Sequence, residues 1–115
     1  MNKRETGKKF EETAAGYLES KGVMILEKNY RIPAGEIDLI GMDGEYLVFF
    51  EVKYRSSLKM GDPLSAVDFR KRQKIMNVSK HYLYEHHYRE NAPVRFDCIG
   101  ITGEKINWVR NSFTA

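Results

Sequence analysis

Three acids and a lysine interrupt two runs that are otherwise apolar: Glu36 and Asp38 in Gly35-Glu36-Ile37-Asp38-Leu39-Ile40, then Glu51 and Lys53 in Phe49-Phe50-Glu51-Val52-Lys53. Side chains alternate along a strand, so Glu51 and Lys53 share a face with Leu47 and Phe49, while Val52 points the other way. A carboxylate and an ammonium in such a strand are costly unless paired, coordinated or used. Carboxylates on neighbouring strands, with a lysine two residues after one of them, suit metal-assisted phosphodiester hydrolysis. Mg2+ takes oxygen ligands, keeps several waters, and needs only one or two carboxylates besides substrate phosphate. Such a cation acidifies a bound water and neutralises charge building at phosphorus. Lys53 could orient that water or stabilise the same charge, and a backbone carbonyl near Val52 could complete the ligands.

The elements that must position these groups are readable in the same way. Asp43-Gly44 signals a tight hairpin turn between two strands, the second running Tyr46–Tyr54. Its apolar start, Leu47 to Phe50, suits a strand covered on both faces. With Met42 and Glu45 flanking the turn, Asp38 is expected opposite Phe49 and Glu36 opposite Glu51. Asp38 and Glu51 then become diagonal neighbours, roughly 7–8 Å apart at Cα. A slip by two residues would leave these side chains on one face.

Before the hairpin, a helix is expected from about Thr6 to Lys21, ending at Gly22. Phe10, Ala14, Tyr17 and Leu18 form its apolar stripe. Glu11 borders that stripe and could reach a site at the sheet edge, whereas Glu12 faces solvent; a solvated flanking acid is an equally good account of Glu11. A strand Val23–Tyr30 and a turn Ile32-Pro33-Ala34-Gly35 lead into the hairpin. After Arg55, SSLKMGDP reads as a loop that could contact substrate or simply connect. A second helix is expected from Asp68, as N-cap, to about His87. Its apolar side holds Phe69, Ile75, Met76, Val78, Tyr82 and Leu83, and Lys71 and Arg72 on that half must snorkel or pair. Strands Val94–Ile101 and Lys105–Val109, joined at Thr102-Gly103, close the chain. The order αβββα followed by two strands describes one α/β domain over residues 1–115, with a mixed sheet flanked by helices.

Composition sets the bounds. At 115 residues, 42% hydrophobic and 30% charged, the chain has globular values. A net charge of +3 and a pI near 9.0 permit a polyanionic partner without demanding one. The lone Cys98 excludes an intrachain disulfide and a thiolate metal cluster. No apolar leader or membrane span is evident, so the expected compartment is the cytoplasm, with no membrane partner. His81, His86 and His87 lack the spacing of a helical zinc site. Cys98 reads as a small core residue and Asp97 as a structural acid paired with Arg95 or another cation. Trp108, Tyr82, Tyr84 and Tyr88 could stack on bases, but packing or an oligomer surface explains them as well.

Taken together, Gly35-Glu36-Ile37-Asp38-Leu39-Ile40, Phe50-Glu51-Val52-Lys53-Tyr54-Arg55 and Arg95-Phe96-Asp97 resemble the YraN-like family of uncharacterised bacterial proteins. That family is a predicted endonuclease branch of the restriction-endonuclease-like PD-(D/E)xK superfamily, similar to archaeal Holliday-junction resolvases. The resemblance runs from Gly7 to about Phe113 and implies a restriction-endonuclease-like αβββαβ core. It implies that Asp38 and Glu51 bind metal, Lys53 is the catalytic lysine, and Glu11 supports the metal from the first helix. Lys71 matches a basic position at the start of the second helix and, with Glu36, stands beside the ligands. Two positions depart from the pattern: Phe10 stands where the family usually has glycine, and Ile37 where the superfamily has proline.

The expected function is a Mg2+- or Mn2+-dependent DNA endonuclease, with branched DNA such as a Holliday junction among its candidate substrates. Arg55, Lys59, Arg70 and Lys74 are the candidate phosphate contacts, the last two within the cluster Arg70-Lys71-Arg72-Gln73-Lys74; a merely solvated charged face is the alternative there. One alternative function is a nuclease-fold module that binds nucleic acid for a DNA-processing partner without cutting it. A hydrolase of small phosphate esters is a third class, less favoured by the basic surface. A homodimer, with Tyr84 and Tyr88 of helix two at its interface, would set two sites against opposite strands.

Overall fold

The computed structural model describes residues 3–55 and 69–113, with side chains described from 7 to 54 and from 69 to 113. Helix α1 (Lys3–Ser20) leads into strands β1 (Met24–Ile32), β2 (Gly35–Asp43) and β3 (Tyr46–Arg55), and helix α2 (Phe69–Glu85) precedes β4 (Val94–Thr102) and β5 (Lys105–Phe113). The five strands form one sheet in the order β1-β2-β3-β4-β5. All neighbours are antiparallel except β3 and β4. A parallel pair needs a crossover, and α2 lies within it. This is the expected α/β architecture, a mixed sheet flanked by helices and compatible with an αβββαβ nuclease-like core.

Each helix covers one face. Ala14, Ala15 and Leu18 of α1 pack with Leu39, Val48, Phe50, Ile99 and Ile101, and Ile75, Val78 and Tyr82 of α2 pack with Ile37, Ile40, Leu47, Phe49, Phe96 and Cys98. Strand β3 feeds both layers alternately, which is why Leu47 to Phe50 had to be apolar throughout. In the stripe of α1, Phe10 and Tyr17 are half-buried beside buried Ala14 and Leu18, as expected.

Four details correct the sequence reading. Asp43 pairs with Tyr46 and Leu39 with Phe50, so the β2–β3 turn is Gly44-Glu45 rather than Asp43-Gly44. Glycine takes the first turn position with φ 61°, as a II′ hairpin requires. The register therefore moves by two residues, which places Asp38 one step beyond the Leu39–Phe50 pair rather than opposite Phe49, and removes the Glu36–Glu51 pairing. The same shift displaces the last turn to Gly103-Glu104, between Thr102 and Lys105. Strand β5 runs on to Phe113, because Phe113 stacks on Phe96 at 5.0 Å between ring centroids, a tertiary contact hidden behind polar Asn111-Ser112. Phe69, expected on the apolar side of α2, is 71% exposed, since that helix buries nothing before Ile75. The expected N-cap, Asp68, and the loop after Arg55 lie outside the described residues.

Asp97 is fully buried, and its role is structural. Its carboxylate accepts hydrogen bonds from Arg95 Nε (2.9 Å), Trp108 Nε1 (2.9 Å) and the Asn111 amide (2.8 Å). Arg95 Nη2 also bridges to Asp43 at 2.7 Å, tying β4 to the end of β2. These bonds hold the guanidinium well above its usual range, so it stays charged. Cys98 is likewise buried, its thiol beside Ser112 Oγ at 3.2 Å. Asp97→Ala would leave Arg95 Nε without its acceptor, with Asp43 still on Nη2, and orphan the Trp108 and Asn111 donors. Urea unfolding should show a loss of about 3–5 kcal/mol, against a near-neutral change at exposed Glu12.

Candidate metal and phosphate site

The β2–β3 ladder has its last paired residues at Leu39 and Phe50. One step on, the Val52 amide donates instead to Asp38 Oδ2 at 2.8 Å. Strand β2 also changes face here: Ile37 and Ile40 both pack toward α2, and Leu39 packs toward α1. Across from Asp38, between the pairs Lys28–Leu39 and Tyr30–Ile37, Asn29 of β1 sits at φ 55°. Both strands thus leave regular geometry at the same level, and Asp38 is the residue at the break.

Helix α1 brings Glu11 to this opening. Carboxylate oxygens of Glu11, Glu36 and Asp38 lie within 4.8 Å of one another. Burial raises the pKa of Glu11, with the charges of Glu36 and Glu51 adding to the rise. Asp38 is pushed up to about 8, first by burial and then by the charges of Glu51 and Glu11, against the opposing Val52 hydrogen bond. Carboxylates so crowded are stabilised by a cation, and an all-oxygen set fits a hard one such as Mg2+ or Mn2+ better than zinc. Phe10 does not keep Glu11 away. Its ring stacks on Tyr54 of β3 at 3.8 Å, and Glu11 still lies beside Glu36 and Asp38 of β2.

Glu51 is buried and meets two cations. The closest approach of Lys71 Nζ is 2.5 Å and that of Lys53 Nζ is 3.3 Å, both to Oε1. Burial lowers the pKa of Lys53, and the neighbouring Lys71 lowers it further. For Lys71 burial acts in the same direction and is the largest single influence, but the bonds to Glu51 and Lys53 and the charges of Glu51 and Asp38 together outweigh it, and its pKa is raised.

A cleft of about 530 Å³ joins these groups, with Gly35, Glu36, Asp38 and Glu51 from the sheet and Arg70, Lys71, Lys74 and Ile75 from α2. Asp38, Glu51 and Lys53 are thus gathered as the spacing predicts, and Glu11 joins them. Glu36 sits within the acidic group rather than beside it, although Arg31 also holds it at 2.8 Å. Arg70 and Lys74 line the cleft, as phosphate contacts would. Lys59 and the side chain of Arg55 lie outside the described residues. Two contributors escaped the sequence reading. Asn29 gave its only signal as a residue type that tolerates positive φ. At Gly35, with φ 154°, an added Cβ would come within 3.2 Å of Val78 Cγ2, so glycine lets α2 close over the cleft.

Of the signals set aside, Tyr82 is core, and Tyr88 is half-buried beyond the end of α2, with its ring 6.3 Å from Tyr82. Tyr84 is 84% exposed. His81 and His86 flank Glu85 on the surface at 3.5 and 3.4 Å.

The sequence model described as "Uncharacterised protein family UPF0102" matches residues 10–101. A UPF0102 protein of Clostridioides difficile (strain 630) is 44% identical over 115 residues, covering 98% of this chain and 100% of the relative. One from Legionella pneumophila (strain Corby) is 40% identical over 114 residues, 97% of each chain. One from Thermodesulfovibrio yellowstonii is 43% identical over 113 residues, 98% of this chain and 99% of the relative.

The raised Asp38 carboxyl makes a prediction for the metal-free protein. Its folded pKa, about 8, lies above the ordinary unfolded value. Between the unfolded value of about 4 and the folded one, the native state binds more protons than the unfolded chain, so stability falls as pH rises. Thermal melts in EDTA should show wild type losing stability across this window more steeply than Asp38→Asn.

Proposed function

Because the chain belongs to the uncharacterised protein family UPF0102, we propose from the site itself that it hydrolyses phosphodiester bonds in DNA with Mg2+ or Mn2+. The observation that carries this reading is an acidic wall facing a basic wall across one cleft. Asp38 and Glu51 would hold the cation, with Glu11 and Glu36 within reach. The cation would supply an acidified water and charge neutralisation. Lys53, fixed beside Glu51, would stabilise charge developing on the phosphate. Arg70 and Lys74 would position the backbone without reading its sequence.

Selectivity for branched DNA and a homodimer belong to the same reading. A C2 pair would present two clefts to opposite strands, and exposed Tyr84 offers apolar surface for it. Among the described residues no helix is long and apolar enough to cross a membrane, and we place the activity in the cytoplasm. One observation favours a second reading, a module that binds DNA without cutting it: two ammonium groups already compensate Glu51.

Duplex, flap and four-way-junction DNA incubated with Mg2+ or Mn2+ separate the two. Cleavage of any of them, abolished by EDTA, is expected. Asp38→Asn and Glu51→Gln should each reduce it about 100-fold or more while DNA binding persists. Lys53→Ala should keep metal binding and lose turnover by about 100–1,000-fold. Metal-independent DNA binding with no cleavage of any substrate would leave the binding module.

A further inference from the structure

Lys71 and Lys53 share one oxygen of Glu51, yet they are held differently. Lys53 projects from β3, inside the sheet, and its side chain is 15% exposed. Lys71 projects from the first turn of α2, is 36% exposed, and lines the cleft itself. Of residues 69–74, Lys71 alone is half-buried. Before Ile75, where its buried residues start, the helix meets the sheet through this ion pair and through Arg72 over the Phe113 ring of β5.

Two ammonium groups beside one carboxylate repel each other. A divalent cation at Asp38 and Glu51 would add two more positive charges to the same few ångströms. The ammonium with access to the cleft can leave with the smaller desolvation cost. Its new anion is at hand if a phosphate lies in the cleft beside Arg70 and Lys74, since Lys71 lines the same cleft. A lysine suits such an exchange: its compact charge on a flexible stem accepts any oxygen, whereas an arginine fork would favour one geometry.

We propose that Lys71 is a movable counter-ion, compensating Glu51 while the cleft holds no cation and turning to a phosphate oxygen once a cation occupies Glu51. Metal and DNA backbone then bind with positive coupling through this one side chain. The inference rests on the metal-and-phosphate reading above and adds to it a reason why phosphate binding should follow metal loading.

The test measures binding without requiring turnover. Fluorescence anisotropy reads affinity for a short DNA duplex in EDTA and in Ca2+, with wild type, Lys71→Gln, Glu51→Gln and the double variant; calorimetry reads Ca2+ binding, and thermal melts verify folding. For wild type, Ca2+ should tighten DNA about tenfold, within the usual range of such couplings. Lys71→Gln should bind Ca2+ at least as well as wild type, bind DNA more weakly, and show a gain reduced at least about threefold. Glu51→Gln in EDTA should release Lys71 and tighten DNA about tenfold, but no more than about twofold when Lys71 is also glutamine. Should Glu51→Gln not fold, the Ca2+ comparison of wild type with Lys71→Gln decides alone. Equal gains with and without Lys71 overturn the inference and leave Lys71 a static partner of Glu51. A wild type that binds neither Ca2+ nor DNA overturns the hydrolase reading and the inference together.

Discussion

The hydrogen bond from the Val52 amide to Asp38 Oδ2 is the contact around which the functional end of the molecule is arranged. It replaces a backbone ladder bond with a side-chain one, so the amide remains satisfied while β2 is released from strict pairing. Asp38 can then stand at the point where β2 changes face, open both to α1 and to α2. Glu11 reaches it from one helix, and Lys71 approaches Glu51 from the other. Continued pairing past Leu39 and Phe50 would have set Asp38 opposite Glu51 on the α2 face, away from Glu11 of α1.

Electrostatics at this opening is a balance of opposites that neither sign wins alone. Four acids crowd together, and the cost appears in the raised pKa values of Glu11 and Asp38. Two lysines relieve chiefly the Glu51 side, through the closest contacts to Oε1, while the Lys71 charge acts on Asp38 more weakly than the burial and the acids that raise it. The Glu11, Glu36 and Asp38 side has the Val52 amide and the Arg31 bridge, which leave its crowding incompletely offset. A buried salt bridge by itself is weak evidence of stability. The uneven distribution of positive charge is what makes a cation-binding role more economical than a purely structural one. At the far end of β2 the contrast is plain: Asp97 has every donor it needs and lines no part of the cleft.

Much of this was legible in the sequence because it depended on period. Alternation along β3 put Glu51 and Lys53 on one face whatever the exact register, and the two-residue shift of the hairpin left that placement intact. The stripe on α1 put Glu11 at its border, within reach of the sheet, for the same reason. What escaped was set by particular contacts rather than by period. The turn moved because Gly44 serves the first central position, and β5 lengthened because Phe113 found Phe96. The break at Asn29 and Asp38, which makes the site, has no repeating pattern to announce it. Lys71 was legible only in part: its place on the apolar half of α2 demanded a partner, and the fold supplied Glu51.

The central claim is that Asp38 and Glu51 hold one divalent cation between them. A crystal structure grown with Mn2+ tests it most directly, through the anomalous signal of the ion. The account predicts a peak about 2.0–2.6 Å from a carboxylate oxygen of each residue, with Glu11 or Glu36 adjacent. An absence of any peak there at saturating Mn2+, with Lys53 and Lys71 still on Glu51 Oε1, would contradict it.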